Sequence, residues 1–220
     1  YTVARATQGL ADYLNEKGFS DNGVVIAFDT RNNSKFFSEI TASVLLGNNI
    51  PVYYCEEPHP TPFLSFMVRE KKASAGILIT ASHNPKEYNG YKVFFDDGTQ
   101  VLPPHDQNII DKVNAITDFS KIKYEEKNIL DKVTLINESD DEAYLDAIDR
   151  FIDLEKVKKN KIKIVYTPLH GAGRDLMAKL LKDRYDQDFH VVSEQATHDG
   201  NFPTVPSPNP EDSVALEGAI

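Results

Sequence analysis

The apolar positions of this chain fall into short blocks that switch between two periods. "YTVARATQGLADYLNEK" repeats its apolar residues at helical intervals and is closed by Gly18. "GVVIAFD", from Gly23 to Asp29, is instead a continuous run rich in β-branched residues, as a strand buried on both faces requires. The pattern next predicts a helix over "KFFSEITASVLLG", capped by Ser34, with Phe37, Ile40, Val44 and Leu45 on one face and a stop at Gly47. "PVYYC" reads as a second strand, "PFLSFMVREKKA" as a helix with Thr61 at the N-cap and Pro62 at the first position, and "AGILIT" as a third strand. Strand, helix, strand, helix, strand predicts a parallel βαβαβ sheet with right-handed crossovers.

Downstream the pattern changes. "FFDDGTQ" predicts a turn at Asp97-Gly98 between antiparallel strands, and "PPHDQNIIDKVNAI" a helix opened by proline. The acidic stretch from Asn137 to Glu142, with Asp140, Asp141 and Glu142 as a solvated helix start, marks the expected boundary between two domains, residues 1–139 and 140–220. A helix carrying Tyr144, Leu145, Ile148, Phe151 and Ile152 follows, then the basic "EKVKKNKIK". Strand "KIVYT", loop "PLHGAG", helix "RDLMAKLLKDR", strand "HVVSE" and the proline-rich "DGNFPTVPSPNPE" complete the chain. The expected class is α/β: a mixed, largely parallel sheet flanked by helices, then the start of a second related unit.

Composition narrows the function. With 40% hydrophobic and 26% charged residues in 220, the chain has globular values, and no apolar run reaches the roughly 20 residues needed to span a bilayer. A net charge of -10 argues against nucleic acid as a partner, since counterion release needs clustered Lys and Arg. A small anionic substrate is compatible if the site is locally basic. The single cysteine, Cys55, has no internal disulfide partner and sits in an apolar run, which favours a buried residue and a reducing cytoplasm. The chain begins inside a helical pattern and ends in a fresh helix start, so it is expected to be an excerpt of a longer protein.

Candidate chemistry lies where the three strands end. Ligands of open parallel sheets bind beyond the carboxyl ends of the strands, and here those ends carry "FDTRNNS", "EEPHPTP" and "TASHNP". Ser82 has His83 beside it and Lys92 returned toward it by the Asn89-Gly90 turn. Asp29 and Arg31 come from the neighbouring strand, and a guanidinium suits a phosphate through paired hydrogen bonds. Each piece also has a plain structural role open to it: the Asn-Pro and Asn-Gly pairs are ordinary turns, Ser82 can cap one, and a lone histidine is more often structural than catalytic. A serine hydrolase is disfavoured, because the G-x-S-x-G elbow is missing and adjacent Ser82 and His83 in an extended segment would face opposite ways. A phosphate-accepting serine fits better. "PLHGAG" and the stiff "DGNFPTVPSPNPE" loop yield no chemistry unaided.

"GILITASHNPKEYNGYKVFFDDGTQ" resembles the phosphoserine loop of the α-D-phosphohexomutases, the phosphoglucomutase and phosphomannomutase superfamily, closest to its phosphoglucomutase-2-like branch. "DTRNNS", "PTP", "PLHGAG", "DGNFP" and "SPNPE" occur in that family's order, so the likeness covers essentially the whole chain. The resemblance implies that Ser82 is phosphorylated, gives its phosphate to a sugar phosphate and recovers one from the bisphosphorylated sugar. It implies that His83 and Lys92 assist proton transfer and charge stabilisation, and that Arg31 supports the same site. It also implies Mg2+, bound by Ser82 through its phosphate and by three aspartates expected beyond residue 220, with a sugar 1,6-bisphosphate as activator and intermediate. The remaining domains of the same parent chain are the implied partners, and the excerpt itself is expected to be inactive. Glucose 1-phosphate and glucose 6-phosphate are the first expected pair; mannose or pentose phosphates, or a non-catalytic sugar-phosphate-binding paralogue, are the alternatives.

Overall fold

The computed structural model describes residues 1–220, which divide into two compact units. The first comprises Tyr1–Phe28, Asn33–Thr80 and Gly90–Ile136. Helix α1 (Thr2–Lys17) ends at Gly18, whose left-handed backbone lets the Gly18 and Phe19 amides bond back to Asn15 and Leu14. The elements that follow are β1 (Val24–Phe28), α2 (Ser34–Gly47), β2 (Val52–Cys55), α3 (Thr61–Glu70), β3 (Ala75–Ile79), β4 (Tyr91–Phe95), α4 (His105–Ala115), α5 (Ile129–Lys132) and β5 (Thr134–Ile136). The strands form one sheet in the order β4-β3-β1-β2-β5. β1 pairs parallel with both β2 and β3, β2 pairs parallel with β5, and only β4 runs antiparallel, against β3.

Every residue of β1 and β3 is buried, because helices cover both faces of the sheet. On one face Leu10 and Leu14 of α1 and Leu45 of α2 pack in one cluster with Ile26, Ile77 and Ile79. On the other, α3 comes so close that a Cβ on Gly76 would stand 2.5 Å from a Val68 methyl, so glycine here makes room for the helix. The expected α/β class is what the structure shows, and the Asp97-Gly98 turn leads the chain back to an antiparallel bridge between Phe94 and Gln100.

Two helix starts differ from expectation by one residue. Asn33, at φ 65°, is the N-cap of α2 and makes no side-chain capping bond, and Ser34 is the first helical residue. A short amide side chain tolerates the left-handed region that the turn into α2 demands. Likewise Pro60 precedes α3, because its carbonyl already accepts from the Phe63 and Leu64 amides. The buried stripe of α2 is also less apolar than the pattern suggests. Phe37 and Ile40 are half-buried, whereas Ser38 and Thr41 are buried with hydroxyls bonded to the Lys35 and Phe37 carbonyls, so burying them leaves no donor unpaired.

The second unit comprises Asp29–Asn32, Ala81–Asn89 and Asn137–Ile220. Its elements are α6 (Glu138–Asp149), α7 (Leu154–Lys159), β6 (Lys163–Tyr166), α8 (Arg174–Ala178) continuing into a π-helical stretch Lys179–Arg184, β7 (Asp188–Val191) and α9 (Ser213–Leu216). β6 and β7 pair in parallel. Asp140 is not solvated: it is buried and returns a carboxylate oxygen to the Asn137 amide while Asn137 accepts from Ser139, a reciprocal cap for α6. The helix then stops at Asp149, which leaves Phe151 outside it and exposed. Arg184 ties α6 to the π-helical stretch through Glu142, Asp146 and Asp149. No helix is long and apolar enough to cross a membrane.

Candidate functional site

β3 ends at Ile79, and the chain then makes an excursion whose base is closed by the Thr80 amide bonding the Gly90 carbonyl at 3.1 Å. Within the excursion the Asn84 amide returns to the Ala81 carbonyl at 3.1 Å and the Tyr88 amide to the Pro85 carbonyl at 3.0 Å. Ser82 is exposed and lies at φ 58°, in the left-handed region that costs a non-glycine residue roughly 1–2 kcal/mol. This corrects the extended geometry expected for Ser82 and His83. The positive φ turns the backbone so that the two side chains do not diverge, and Ser82 Oγ stands 3.3 Å from His83 Nδ1.

Arg31 holds that loop from beneath. Its terminal nitrogens donate to four main-chain carbonyls, those of Ser82 (2.9 Å), Asn84 (2.6 Å), Pro85 (3.0 Å) and Tyr88 (3.1 Å). Its Nε lies 3.3 Å from an Asp29 carboxylate oxygen, an ion pair without hydrogen-bond geometry. Asp29 in turn accepts from the Arg31 amide at 2.9 Å. The side chain is almost wholly buried, and burial lowers the Arg31 pKa more than the Asp29 carboxylate raises it. The bidentate phosphate grip expected of Arg31 is therefore not what its donors do, since the fork is already filled by carbonyls. It supports Ser82 by fixing the main chain that carries it. Asn89 adds a second tie, donating to the Asn32 carbonyl at 3.2 Å.

Lys92 belongs to the first unit, in β4, where its register partner is Leu78 of β3. Its neighbours Tyr91 and Val93 pack on the core cluster, so Lys92 points to the opposite face of the strand. No group of three or more His, Cys, Asp or Glu in this chain is placed to hold a metal ion; the three aspartates that the resemblance implies for magnesium are expected beyond residue 220. Two residues outside the expected set touch the Arg31 segment, namely Asn201, which accepts from Asn32 Nδ2 at 3.0 Å, and Phe202, whose ring centroid is 5.4 Å from the guanidinium carbon. The signals for them in the sequence were the stiffness of the proline-rich "DGNFPTVPSPNPE" loop and the place of "DGNFP" among the segments that resemble the family, neither of which assigned them a role.

The model for the phosphoglucomutase/phosphomannomutase alpha/beta/alpha domain I matches residues 1–119, and that for domain II of the same proteins matches residues 142–220. The chain belongs to the phosphoglucomutase/phosphomannomutase family. Its similarity extends to proteins of differing names. Over 99% of its length it is 36% identical to a phosphoribomutase of Saccharomyces cerevisiae, covering 38% of that protein. Over 98% it is 37% identical to a phosphoglucomutase of Staphylococcus saprophyticus, covering 39%, and also 37% identical to a phosphopentomutase of Mus musculus, covering 36%. The chain thus spans well under half the length of these relatives. A phosphoglucomutase/phosphomannomutase family protein from Burkholderia thailandensis, 20% identical, shares the fold with a TM-score of 0.77 over 99% of this chain and 44% of its own.

Proposed function

We propose that this chain is part of a phosphohexomutase that interconverts sugar 1-phosphate and sugar 6-phosphate, with glucose as the sugar, and that Ser82 carries the transferred phosphate. The observation that supports this is the state of Ser82: an exposed hydroxyl on a residue at φ 58°, with its main chain gripped by a buried arginine. In the forward half-reaction the bond from phosphorus to Ser82 Oγ breaks as one forms to a sugar hydroxyl oxygen. The sugar proton leaves to a base and Ser82 Oγ regains a proton. The bisphosphorylated sugar then returns its other phosphate to Ser82 by the reverse sequence. His83, whose Nδ1 is 3.3 Å from the hydroxyl, is proposed to give and take the serine proton, and Lys92 to offset charge on the phosphoryl oxygens. Because phosphoryl transfer depends chiefly on positioning and charge stabilisation, the Arg31 grip has a direct use.

A sugar 1,6-bisphosphate as activator, further domains of the same parent chain as partners and a cytoplasmic setting belong to the same proposal. The setting is supported by the lone, buried Cys55. A second reading, transfer on a pentose phosphate, is favoured by the names of two of the relatives. Steady-state assays of the full-length parent on glucose 1-phosphate, mannose 1-phosphate and ribose 1-phosphate decide among them. Glucose is expected to give a kcat/KM at least about tenfold above the others, or about 1.4 kcal/mol of discrimination. A preference for ribose 1-phosphate transfers the assignment to the pentose, and binding without turnover of any of the three overturns the mutase reading.

A further inference from the structure

Two loops have no role in the chemistry above, "PLHGAG" and "DGNFP", yet they form one assembly. His170 is 2% exposed and lies at φ 61°. Its Nδ1 is 2.8 Å from the Thr197 carbonyl oxygen and its Nε2 is 2.9 Å from Thr204 Oγ1. A carbonyl only accepts, so Nδ1 carries the proton, and in the neutral ring Nε2 accepts from the Thr204 hydroxyl. One buried ring therefore pins both ends of the segment 197–204. Between those ends Asp199 accepts from the Asn201 amide at 2.8 Å, and the Phe202 amide returns to the Asp199 carbonyl at 3.1 Å, which closes a tight turn.

That turn lies directly on the segment bearing Arg31. A Cβ on Gly200 would overlap the Asn32 amide nitrogen and stand 2.8 Å from the Arg31 carbonyl carbon, so only glycine permits the approach. Asn201 bonds the Asn32 side chain, and the Phe202 ring faces the Arg31 guanidinium at 5.4 Å. A buried cation with one carboxylate beside it gains from an aromatic face. The ring is itself anchored in a small cluster with Leu169, Val205 and Ala215.

We infer that the 197–204 turn is a brace for the Ser82 loop: Gly200 and Phe202 are positioning residues that hold Arg31, and Arg31 sets where Ser82 Oγ stands. The contact chain is continuous. His170 fixes the turn, the turn fixes Asp29–Asn32, and Arg31 fixes the carbonyls from Ser82 to Tyr88. Losing the ring face would free the guanidinium to sample other rotamers, and the four carbonyls would lose their common anchor. The structural coupling stands on these contacts alone, whereas its catalytic consequence rests on the mutase reading.

The test uses the full-length parent with Gly200→Ala, Phe202→Leu and Phe202→Tyr. Leucine keeps apolar bulk without a π-face; tyrosine keeps the ring. Amide hydrogen exchange is followed at Asn84 and Tyr88 in the Ser82 loop and, for reference, in β6, alongside kcat and KM for glucose 1-phosphate. The expected result is exchange about tenfold faster at Asn84 and Tyr88 in the alanine and leucine variants with β6 unchanged. It is accompanied by a kcat about tenfold lower, a KM within about twofold of the parent, and near-parent behaviour of Phe202→Tyr. Unchanged loop exchange in Phe202→Leu overturns the proposal, as does an equal acceleration in β6, which would make Phe202 merely a core residue. Faster loop exchange with unaltered kcat also overturns it. Should the parent turn over no sugar phosphate, the mutase reading fails while the exchange pattern still decides the brace, and if Gly200→Ala does not fold the leucine variant carries the test.

Discussion

β3 and β6 each lead a parallel strand into a polar loop with a residue at positive φ, and the two passages distribute burial in opposite ways. All of β3 is buried, and the loop after it exposes Ser82. β6 leaves Lys163 exposed and Val165 47% exposed, yet the loop after it buries Leu169 and His170. In the first passage the side chain is exposed while the main chain is held by Arg31. In the second both ring nitrogens of His170 are taken by Thr197 and Thr204, so the histidine works as a tie. A group available for chemistry needs a fixed backbone and an open side chain together; a group satisfied on every side is structural.

Removing each group measures that contrast. Ser82→Ala is expected to lower mutase turnover in the full-length parent roughly a thousandfold or more, about 4 kcal/mol, with the melting temperature nearly unchanged because the side chain is exposed. Turnover within about tenfold of the parent would end the comparison at its first term. Ile77→Ala, which empties a fully buried position of β3, is expected to cost about 2–5 kcal/mol in denaturant unfolding. His170→Ala should cost about 1–3 kcal/mol, as it empties a buried position and removes the ring's hydrogen bonds to the Thr197 carbonyl and the Thr204 hydroxyl. If its denaturation midpoint were unmoved, the tie would be no tie. Val165→Ala, on the open strand, is expected to stay within about 0.5 kcal/mol. A cost equal to that of Ile77→Ala would show that β6 is covered in the full-length protein.

Continuous apolar runs made the strands of the first sheet legible, since β1 and β3 are buried on both faces and nothing competes with that pattern. Helix starts were harder. Asn33 and Pro60 take their positions from main-chain geometry, a left-handed turn and an early carbonyl bond, which residue preference alone does not encode. Asp140 looked solvated because three acidic residues in a row usually are, but the Asn137 amide recruits one of them. At the site, the sequence placed Ser82 correctly after a buried strand and misjudged its neighbours. The φ of 58° that brings His83 to Ser82 is a property of the closed loop, and the filling of the Arg31 fork depends on four carbonyls whose convergence no local pattern announces. Phe202 was further still from view, because its contact with Arg31 joins residues 171 positions apart (202 − 31).

The central claim is that Ser82 is the residue that holds the phosphate. Its most direct test is phosphopeptide mapping of the full-length parent after incubation with glucose 1,6-bisphosphate and again after addition of excess glucose 1-phosphate. The account predicts one phosphate on the peptide that carries Ser82, discharged when the monophosphate is added. Sustained mutase turnover with that peptide unmodified, or with the exchanging phosphate on another residue, would contradict it.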